Sequence, residues 1–464
     1  MNTKELLKSK SFYRKVLAVS VPVMIQNGIT NFVGLLDNIM VGRIGTDEMS
    51  GVSIANQLLM VFNLCIFGAV SGASIFGAQF FGKKDYEGMT YTMRFRLYVC
   101  LGLCALGITV FLAAGEPLIL AFLQGEEGVG NAARTLEVSK EYLAIMLTGL
   151  VPFTISQCYS SIMREIGDTI VPMVSGIAAV AVNLVFNYIL IFGEFGAPRL
   201  GAAGAAIATV LSRVVEALIV VIWSHTHRER YRYIKGLYRS FHIPAALMKK
   251  IAKKGAPLIV NETLWSAGMA MLNQCYSVRG LEVIAAMNIA STINNLFYVV
   301  FIALGNSVAI VVGPMLGANE MDEAKHTAKA MIVFATMSCF LVGAVLVAVA
   351  PFFPLIYKTE ESVRSLASSF IVVCACCMSI YGFVHATYFT LRSGGKTFIT
   401  FLFDSAFVWA VNVPVAFIIS RFTGMPIVWL FLCVQLTDLI KCVVGWILVK
   451  KGIWLNNIVE DKAA

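Results

Sequence analysis

Charge is what this chain has least of. Only 14% of its 464 residues are Asp, Glu, Lys or Arg, whereas 58% are hydrophobic, and an ordinary soluble domain carries about 25% charged residues. That scarcity excludes a water-soluble globular class. Paired CxxC motifs with zinc spacing are also missing: the 11 cysteines fall mostly inside apolar runs, Cys374, Cys376 and Cys377 among them, and read as small buried hydrophobes. No HExxH or GxSxG context is present, so neither a zinc hydrolase nor a serine hydrolase is indicated. The basic N-terminal stretch MNTKELLKSKSFYRK is followed by no small-residue cleavage site, and the next apolar run carries Gln26 and Asn27. A retained first helix is expected rather than a signal peptide, and no soluble domain is evident.

What is present is a series of apolar runs, each of roughly 20 to 30 residues, the length that crosses about 30 Å of hydrocarbon as a helix. They lie near 16–41, 51–81, 92–113, 138–163, 171–193, 201–224, 256–278, 284–315, 327–350, 366–391, 398–420 and 427–449. The fold class expected is an all-α polytopic membrane protein with twelve transmembrane helices in the lipid bilayer. The net charge of +9 could point to nucleic acid, but 26 of the 36 Lys and Arg fall in loops and span edges on the side of the N-terminus. Eight fall on the other side, and Arg213 and Lys441 lie inside spans. By the positive-inside rule both termini are cytoplasmic, in a plasma (inner) membrane setting, and no basic surplus remains for nucleic acid.

Residues 225–255 form the longest polar segment, with nine Lys or Arg. They divide the chain into an amino-terminal lobe (1–224), a basic cytoplasmic linker (225–255) and a carboxyl-terminal lobe (256–464). Within the linker, IPAALMKKIAKK has the pattern of a surface-lying amphipathic helix; a linker that only sets orientation is the plainer alternative. The halves repeat. An offset of 235 pairs Pro22 with Pro257, Asn38 with Asn273, Gly45 with Gly280, Phe62 with Phe297 and Gly82 with Gly317, and Arg164, Gly167 and Thr169 match Arg392, Gly395 and Thr397 at 228. Leu211 and Leu436 match at 225. Six spans per half preserve orientation, so the halves should be related by an axis along the membrane normal with the working site between them.

Two basic turns imitate phosphate loops. GAQFFGKK (Gly77–Lys84) has Lys where Ser or Thr should hold a metal, and RSGGKT (Arg392–Thr397) has Thr390 where the first glycine belongs. Each follows a membrane span instead of a strand, so no nucleotide is expected, and each reads as a helix-ending glycine followed by cytoplasmic bases.

Polar residues inside the spans carry more. An aspartate at the centre of a membrane helix costs about 2.5–3.5 kcal/mol on insertion scales, and Asp37 sits in NFVGLLDNIMVG with no base inside its span. Gln26, Thr30 and Asp37 share one helical face, and Pro22, Gly28 and Gly34 permit bending. Asn183 and Asn187 lie one turn apart in the fifth span, and Thr209 lies in the sixth. Carboxylate, amide and hydroxyl oxygens suit a sodium ion or a proton relay, although interhelical hydrogen bonding accounts equally well for the two asparagines. Asp37, Asn183, Asn187 and Thr209 are therefore the candidate cation-coupling residues. A substrate or second coupling site could use Glu262, Gln26, Asn27, Trp265, Asp404 and His385; a Glu262 pairing with Lys253 or Lys254 is the alternative. Arg213 with Glu216, and Asp438 with Lys441, are i,i+3 pairs expected to neutralise each other. Met60, Phe62, Trp265, Met269 and Phe297 could line an adaptable pocket.

At these residues the chain resembles the multidrug and toxic compound extrusion (MATE) family. The likeness rests on LLDNIMVGRIG (Leu35–Gly45), REIGDTIVP (Arg164–Pro172), NLVFNYILIFG from Asn183, GAAGAAIATV from Gly201 and the second-half copy RSGGKT. It implies two six-helix lobes around a V-shaped cleft and export of cationic amphipathic compounds in exchange for H⁺ or Na⁺, with no catalytic residue, metal or other cofactor and with a monomer as the unit. By the same resemblance Asp37, Asn183 and Thr209 fall on the amino-terminal cation site. Asn187 stands where many members have a second acid, which favours a single-proton carrier. Glu262 lies about a turn before the usual seventh-helix glutamate, and the tenth span has no acid. In this reading Asp37 takes up the ion, loosens the bound substrate and bends the first helix around Gly28 and Gly34. The alternatives are a flippase for lipid-linked sugars, which would need cleft cations where the spans offer only Arg213 and Lys441, and an exporter of an endogenous metabolite.

Overall fold

The computed structural model describes residues 2–123 and 131–460, apart from the side chains of Leu35, Asn38, Phe122 and Leu123, so Asn38 as a polar group of the first span lies outside the described residues. It is all-helical; no strand occurs among the described residues. In hydrocarbon every backbone N–H and C=O must be satisfied within the segment, and long apolar helices do this. They are α1 (Lys10–Gly42), α2 (Thr46–Lys83), α3 (Tyr86–Leu123), α4 (Ala132–Thr148), α5 (Leu150–Glu165), α6 (Ile170–Phe192) and α7 (Ala202–Thr226), then α8 (Ala245–Ser277), α9 (Leu281–Gly317), α10 (Met321–Val349), α11 (Glu361–Ser393), α12 (Thr397–Phe422) and α13 (Ile427–Lys451). Ten of these are long and apolar enough to cross a membrane, and α4 with α5 makes an eleventh. The 33-residue α8 is as long, but Asn261, Glu262, Thr263 and Asn273 dilute its apolar stretch.

The fourth span expected near 138–163 is broken: α4 and α5 bend by 47° at Gly149. A Cβ there would press on Val210 (3.0 Å) and on the Arg213 stem (3.4 Å), so the packing of α7 selects glycine at the bend. A second irregularity lies in α12, where two π-helical turns, Leu402–Ala406 and Val408–Asn412, interrupt the α-helix. Such turns hold an extra residue and gather at functional sites.

The chain divides into two compact units, one of Met1–Met24, Ala78–Asp85 and Lys250–Ala464, the other of Ile25–Gly77 and Tyr86–Lys249. Within the first, the internal repeat takes physical form. A Cβ on Gly82 would overlap the Pro314 carbonyl, and one on Gly317 would overlap that of Gln79. Both partners are related by the same offset of 235, so the close approach of the end of α2 to the end of α9 is reciprocal. These helices also end alike, with Lys84 (φ 60°) and Asn319 (φ 65°) left-handed, and the next N–H reaching back to Phe80 and Met315, both at 2.9 Å. Gly167 and Gly395 repeat the device at 228, with φ of 82° and 70°. GAQFFGKK and RSGGKT are thus helix ends and the turns that follow them.

In the second unit the linker is folded. Thr90 donates to the Tyr233 carbonyl at 2.8 Å, and Arg94 binds the carbonyls of Gly236, Leu237 and His242 at 2.7, 2.9 and 2.9 Å. The proposed separate surface helix does not form: from Ala245 onward IPAALMKKIAKK is the opening of α8. The pattern is that of a helix with one wet face, and it runs straight into an apolar stretch.

Candidate functional site

Four polar side chains from three helices meet in the second unit. Asp37 of α1 accepts from Asn187 Nδ2 of α6 at 2.6 Å. Asn187, only 1% exposed, also faces Asn183 one turn away at 3.1 Å, and Asn183 pairs with Thr209 of α7 at 3.3 Å. α6 and α7 can pack closely here because GAAGAAIA lines α7 with small residues; a Cβ on Gly204 would press on the Leu190 backbone. The Asn183 amide has two orientations. With its nitrogen toward Asp37 it donates to both carboxylate oxygens at 3.0 and 3.2 Å while its oxygen accepts from Thr209. Reversed, its oxygen faces the carboxyl group and accepts from Asn187. The first orientation is the one that satisfies the amide, because a bare carboxylate repels an amide oxygen.

Gln26 and Asn27 stand apart from this cluster. Gln26 accepts from Arg164 at 3.2 Å and packs on Gly176, whose Cβ would lie 3.1 Å from it. Asn27 makes none of the cluster's hydrogen bonds. The expected Arg213–Glu216 ion pair is not formed. Arg213 lies over the Phe153 ring at 4.9 Å and its buried Nη1 has no hydrogen-bond partner, while Glu216 lies in reach of both Arg164 and Arg213. Helical spacing alone did not decide where two long side chains would point. The second pair is formed, Lys441 to Asp438 at 3.2 Å, with Lys441 also over Phe407 at 4.9 Å.

In the first unit a second cluster gathers Glu262 and Asp404, with Asn261 as its clamp. Asn261 Nδ2 donates to Asp404 at 3.0 Å and faces the Tyr388 hydroxyl at 3.4 Å. Its oxygen accepts from the Ser405 hydroxyl at 2.7 Å and the Ser405 N–H at 3.3 Å. That N–H is available because Ser405 sits in a π-helical turn. Glu262 lies within electrostatic reach of Asp404 and of Arg392, a residue 6% exposed that stacks on Phe389 at 5.2 Å and has an unpartnered Nη1. Two acids beside one guanidinium leave a net negative charge. Among the ion pairs of the described residues, Glu262 is not joined to Lys253 or Lys254.

His385 is not brought into this cluster; its ring meets Phe301 edge to face at 4.5 Å. Trp265 packs, partly buried, on the hydrophobic core around Tyr276 and Phe370. Phe62 is 6% exposed and wedged against Gly107, so it is packing material rather than pocket lining. Sequence reasoning overlooked Asn261, Arg164 and Tyr388. Arg164 opens the REIGDTIVP motif, and a polar group within an apolar span was the signal that could have found Asn261. Among the described residues no group of three or more His, Cys, Asp or Glu could hold a metal ion.

Comparison with known proteins agrees with this architecture. The family profile MatE matches residues 22–189 and 257–418, one segment per half. The chain is similar to the probable multidrug resistance protein YoeA of Bacillus subtilis, 25% identical across 91% of this chain and 90% of that one. It is also similar to the probable multidrug resistance protein NorM of Thermotoga maritima, 24% identical across 88% and 86%. Its fold matches that of the Vibrio cholerae MATE transporter VcmN, solved as a mutant, with a TM-score of 0.86 at 18% identity over 98% of both chains. A MOP-superfamily transporter from Pyrococcus furiosus matches with a TM-score of 0.85 at 20% identity over 96% and 97%. With the profile covering most of both halves, the chain belongs to the MATE family of multidrug efflux transporters, polytopic membrane proteins that move solutes and are not enzymes.

Proposed function

We propose that this chain exports cationic amphipathic compounds by alternating access, driven by the inward movement of H⁺, with Na⁺ as the other coupling ion in play. The observation that carries the reading is the Asp37–Asn187–Asn183–Thr209 cluster, in which a membrane carboxylate meets amide and hydroxyl groups from two neighbouring helices. Ionised Asp37 attracts a cationic substrate and holds the Asn183 nitrogen. Uptake of a proton removes the charge and releases the substrate. A single carboxylate in this cluster suits a proton better than Na⁺, which takes several oxygen ligands and prefers more negative charge. Glu262 and Asp404 act in this reading as a second acidic subsite, tempered by Arg392. In this reading residues 1–224 and 256–464 serve as the two lobes, each with six membrane spans, of a monomer in the inner membrane, and the basic linker supports cytoplasmic termini by the positive-inside rule.

The test is efflux of a fluorescent cationic dye from proteoliposomes, with pH and Na⁺ gradients imposed separately on wild type, Asp37→Asn and Glu262→Gln. Gradient-driven export by wild type that Asp37→Asn abolishes, at equal protein incorporation, supports the reading. Unchanged export by Asp37→Asn overturns it. A second reading, export of an anionic or lipid-linked compound, draws on the buried and unpartnered Nη1 atoms of Arg213 and Arg392; it predicts scrambling of a lipid-linked sugar without dye export.

A further inference from the structure

The folded linker makes a cavity that the transport reading does not use. It lies between the opening turns of α3 and residues 232–242 and has a volume of about 370 Å³. Its floor is Arg94, 7% exposed. A guanidinium has five N–H groups, and Arg94 spends three on the carbonyls of Leu237, His242 and Gly236. One N–H on Nη1 and one on Nη2 remain on a buried cation that lines an open cavity. Around them stand Arg232, held over the Tyr86 ring at 5.3 Å, Lys235 and His242, with Ser240 as a further hydrogen-bonding side chain. One acid, Glu87, also faces the cavity, and it is engaged by the Tyr91 hydroxyl at 2.5 Å. Lys235 pairs with Glu229 at 2.5 Å, but both ends are exposed, and pairs of that kind contribute little and exchange readily. The cavity therefore presents three full positive charges against one, with directed N–H donors, which is the chemistry of a phosphate site.

We propose that this cavity binds the phosphate of an anionic phospholipid from the leaflet on the linker's side. The lipid source is argued from the surroundings. Immediately after Arg96, α3 becomes apolar, and Leu101 and Leu106 are exposed on its surface (39% and 59%) as tracks for acyl chains. Trp223, Tyr238 and Phe241 are exposed by 41%, 60% and 77%, and Tyr98 bonds the Phe241 carbonyl at 3.3 Å. Aromatic side chains of this kind gather at headgroup level, where basic side chains meet anionic lipid. Occupancy joins residues 232–242 to α3 through the ligand and so clasps the linker.

The experiment uses the purified full-length protein in detergent, titrated with phosphatidylglycerol and followed by native mass spectrometry and thermal midpoint. Phosphatidylcholine and sn-glycerol 3-phosphate serve as comparison ligands, and wild type is set against Arg232→Ala/Lys235→Ala and, as a control on diffuse attraction, Lys450→Ala/Lys451→Ala. Expected is one saturably retained phosphatidylglycerol, weakened at least tenfold in the cavity variant and unchanged in the control, with phosphatidylcholine inert. Equal binding by wild type and the cavity variant overturns the site. Equal weakening in both variants also overturns it, since diffuse attraction would then suffice. Glycerol phosphate binding as tightly as the lipid overturns the lipid assignment in favour of a soluble phosphate ester. Should the double variant fold poorly, Lys235→Gln alone must weaken retention at least threefold.

Discussion

Glu165→Gln, at the end of α5, should be among the most destabilising single-atom changes in the protein. The Glu165 carboxylate is 6% exposed and Arg96, its partner on α3, is fully buried, with Nη2 and Oε1 2.7 Å apart. Ser161 donates to the same oxygen at 3.0 Å, and Ser74 joins Ser161 at 2.8 Å. The pair is not a two-bond fork: Arg96 Nε and Glu165 Oε2 have no hydrogen-bond partners, and Gly77 is glycine because a Cβ would collide with Oε2. Neutralising the acid leaves a guanidinium buried without its counter-charge, a change that costs about 3–5 kcal/mol. For a body of roughly 200 residues about 2–4 °C accompanies each kcal/mol, so the midpoint for loss of monodisperse protein in detergent should fall by roughly 6–20 °C. Arg96→Met/Glu165→Gln removes both charges and should recover most of that loss, because replacing a buried pair by neutral groups is often close to neutral. A Glu165→Gln midpoint within about 2 °C of wild type, or a double variant no better than the single, would refute the reasoning.

Two further outcomes follow from the same geometry. Asp168 is 4% exposed and accepts from the Tyr231 hydroxyl at 2.6 Å and from Arg230 at 2.8 Å; burial first, then this bond, pushes the Tyr231 phenol up, so it stays a donor at any working pH. Asp168→Ala strands that hydroxyl at about 1.5–3 kcal/mol, and trypsin should cut the linker at least ten times faster; an unchanged rate would mean that Arg94 alone holds the linker. Asn187→Asp places a second carboxylate beside Asp37, and dye efflux in proteoliposomes should depend more strongly on a Na⁺ gradient than it does for wild type; a variant with the same ion dependence as wild type would separate ion choice from carboxylate number.

The membrane class and most helices were legible because apolar runs of spanning length admit few other structures. Asp37 was legible for the complementary reason, as a charge where charge is expensive. What could not be read depended on packing between distant segments. The break at Gly149 packs against Val210 and Arg213, and Gly149 with Pro152 in LTGLVPFT was the bending signal that went unread. Arg213 left Glu216 for the face of Phe153, a choice between partners that i,i+3 spacing cannot make. Asn261 became the clamp of the second cluster only because a π-helical turn offers the Ser405 N–H to it. The linker looked like a charged tether until Arg94, 142 to 148 residues away, organised it.

The repeat explains the scaffold but not its chemistry. At an offset of 235 Gln26 matches Asn261 and Asn27 matches Glu262; at 228 Arg164 matches Arg392 and Gly176 matches Asp404. The acidic cluster of the second half therefore occupies the places that the first half fills with Gln26, Gly176 and Arg164, where an uncharged amide meets the guanidinium at 3.2 Å. Conversely, Asp37 matches Leu272 and Thr209 matches Val434, at offsets of 235 and 225, and both counterparts are buried hydrophobes. Along α1, Gln26 and Asp37 are three turns apart, about 16 Å at the helical rise. Duplication thus supplied two copies of the glycine crossings and helix ends, and the carboxylates then settled at different levels of each copy. One copy keeps an acid with no guanidinium bonded to it; the other keeps two acids beside Arg392. Each copy could pass from minus one to zero by taking up a single proton, but only Asp37 would do so with no guanidinium sharing its field, and the proposed coupling role therefore rests on Asp37.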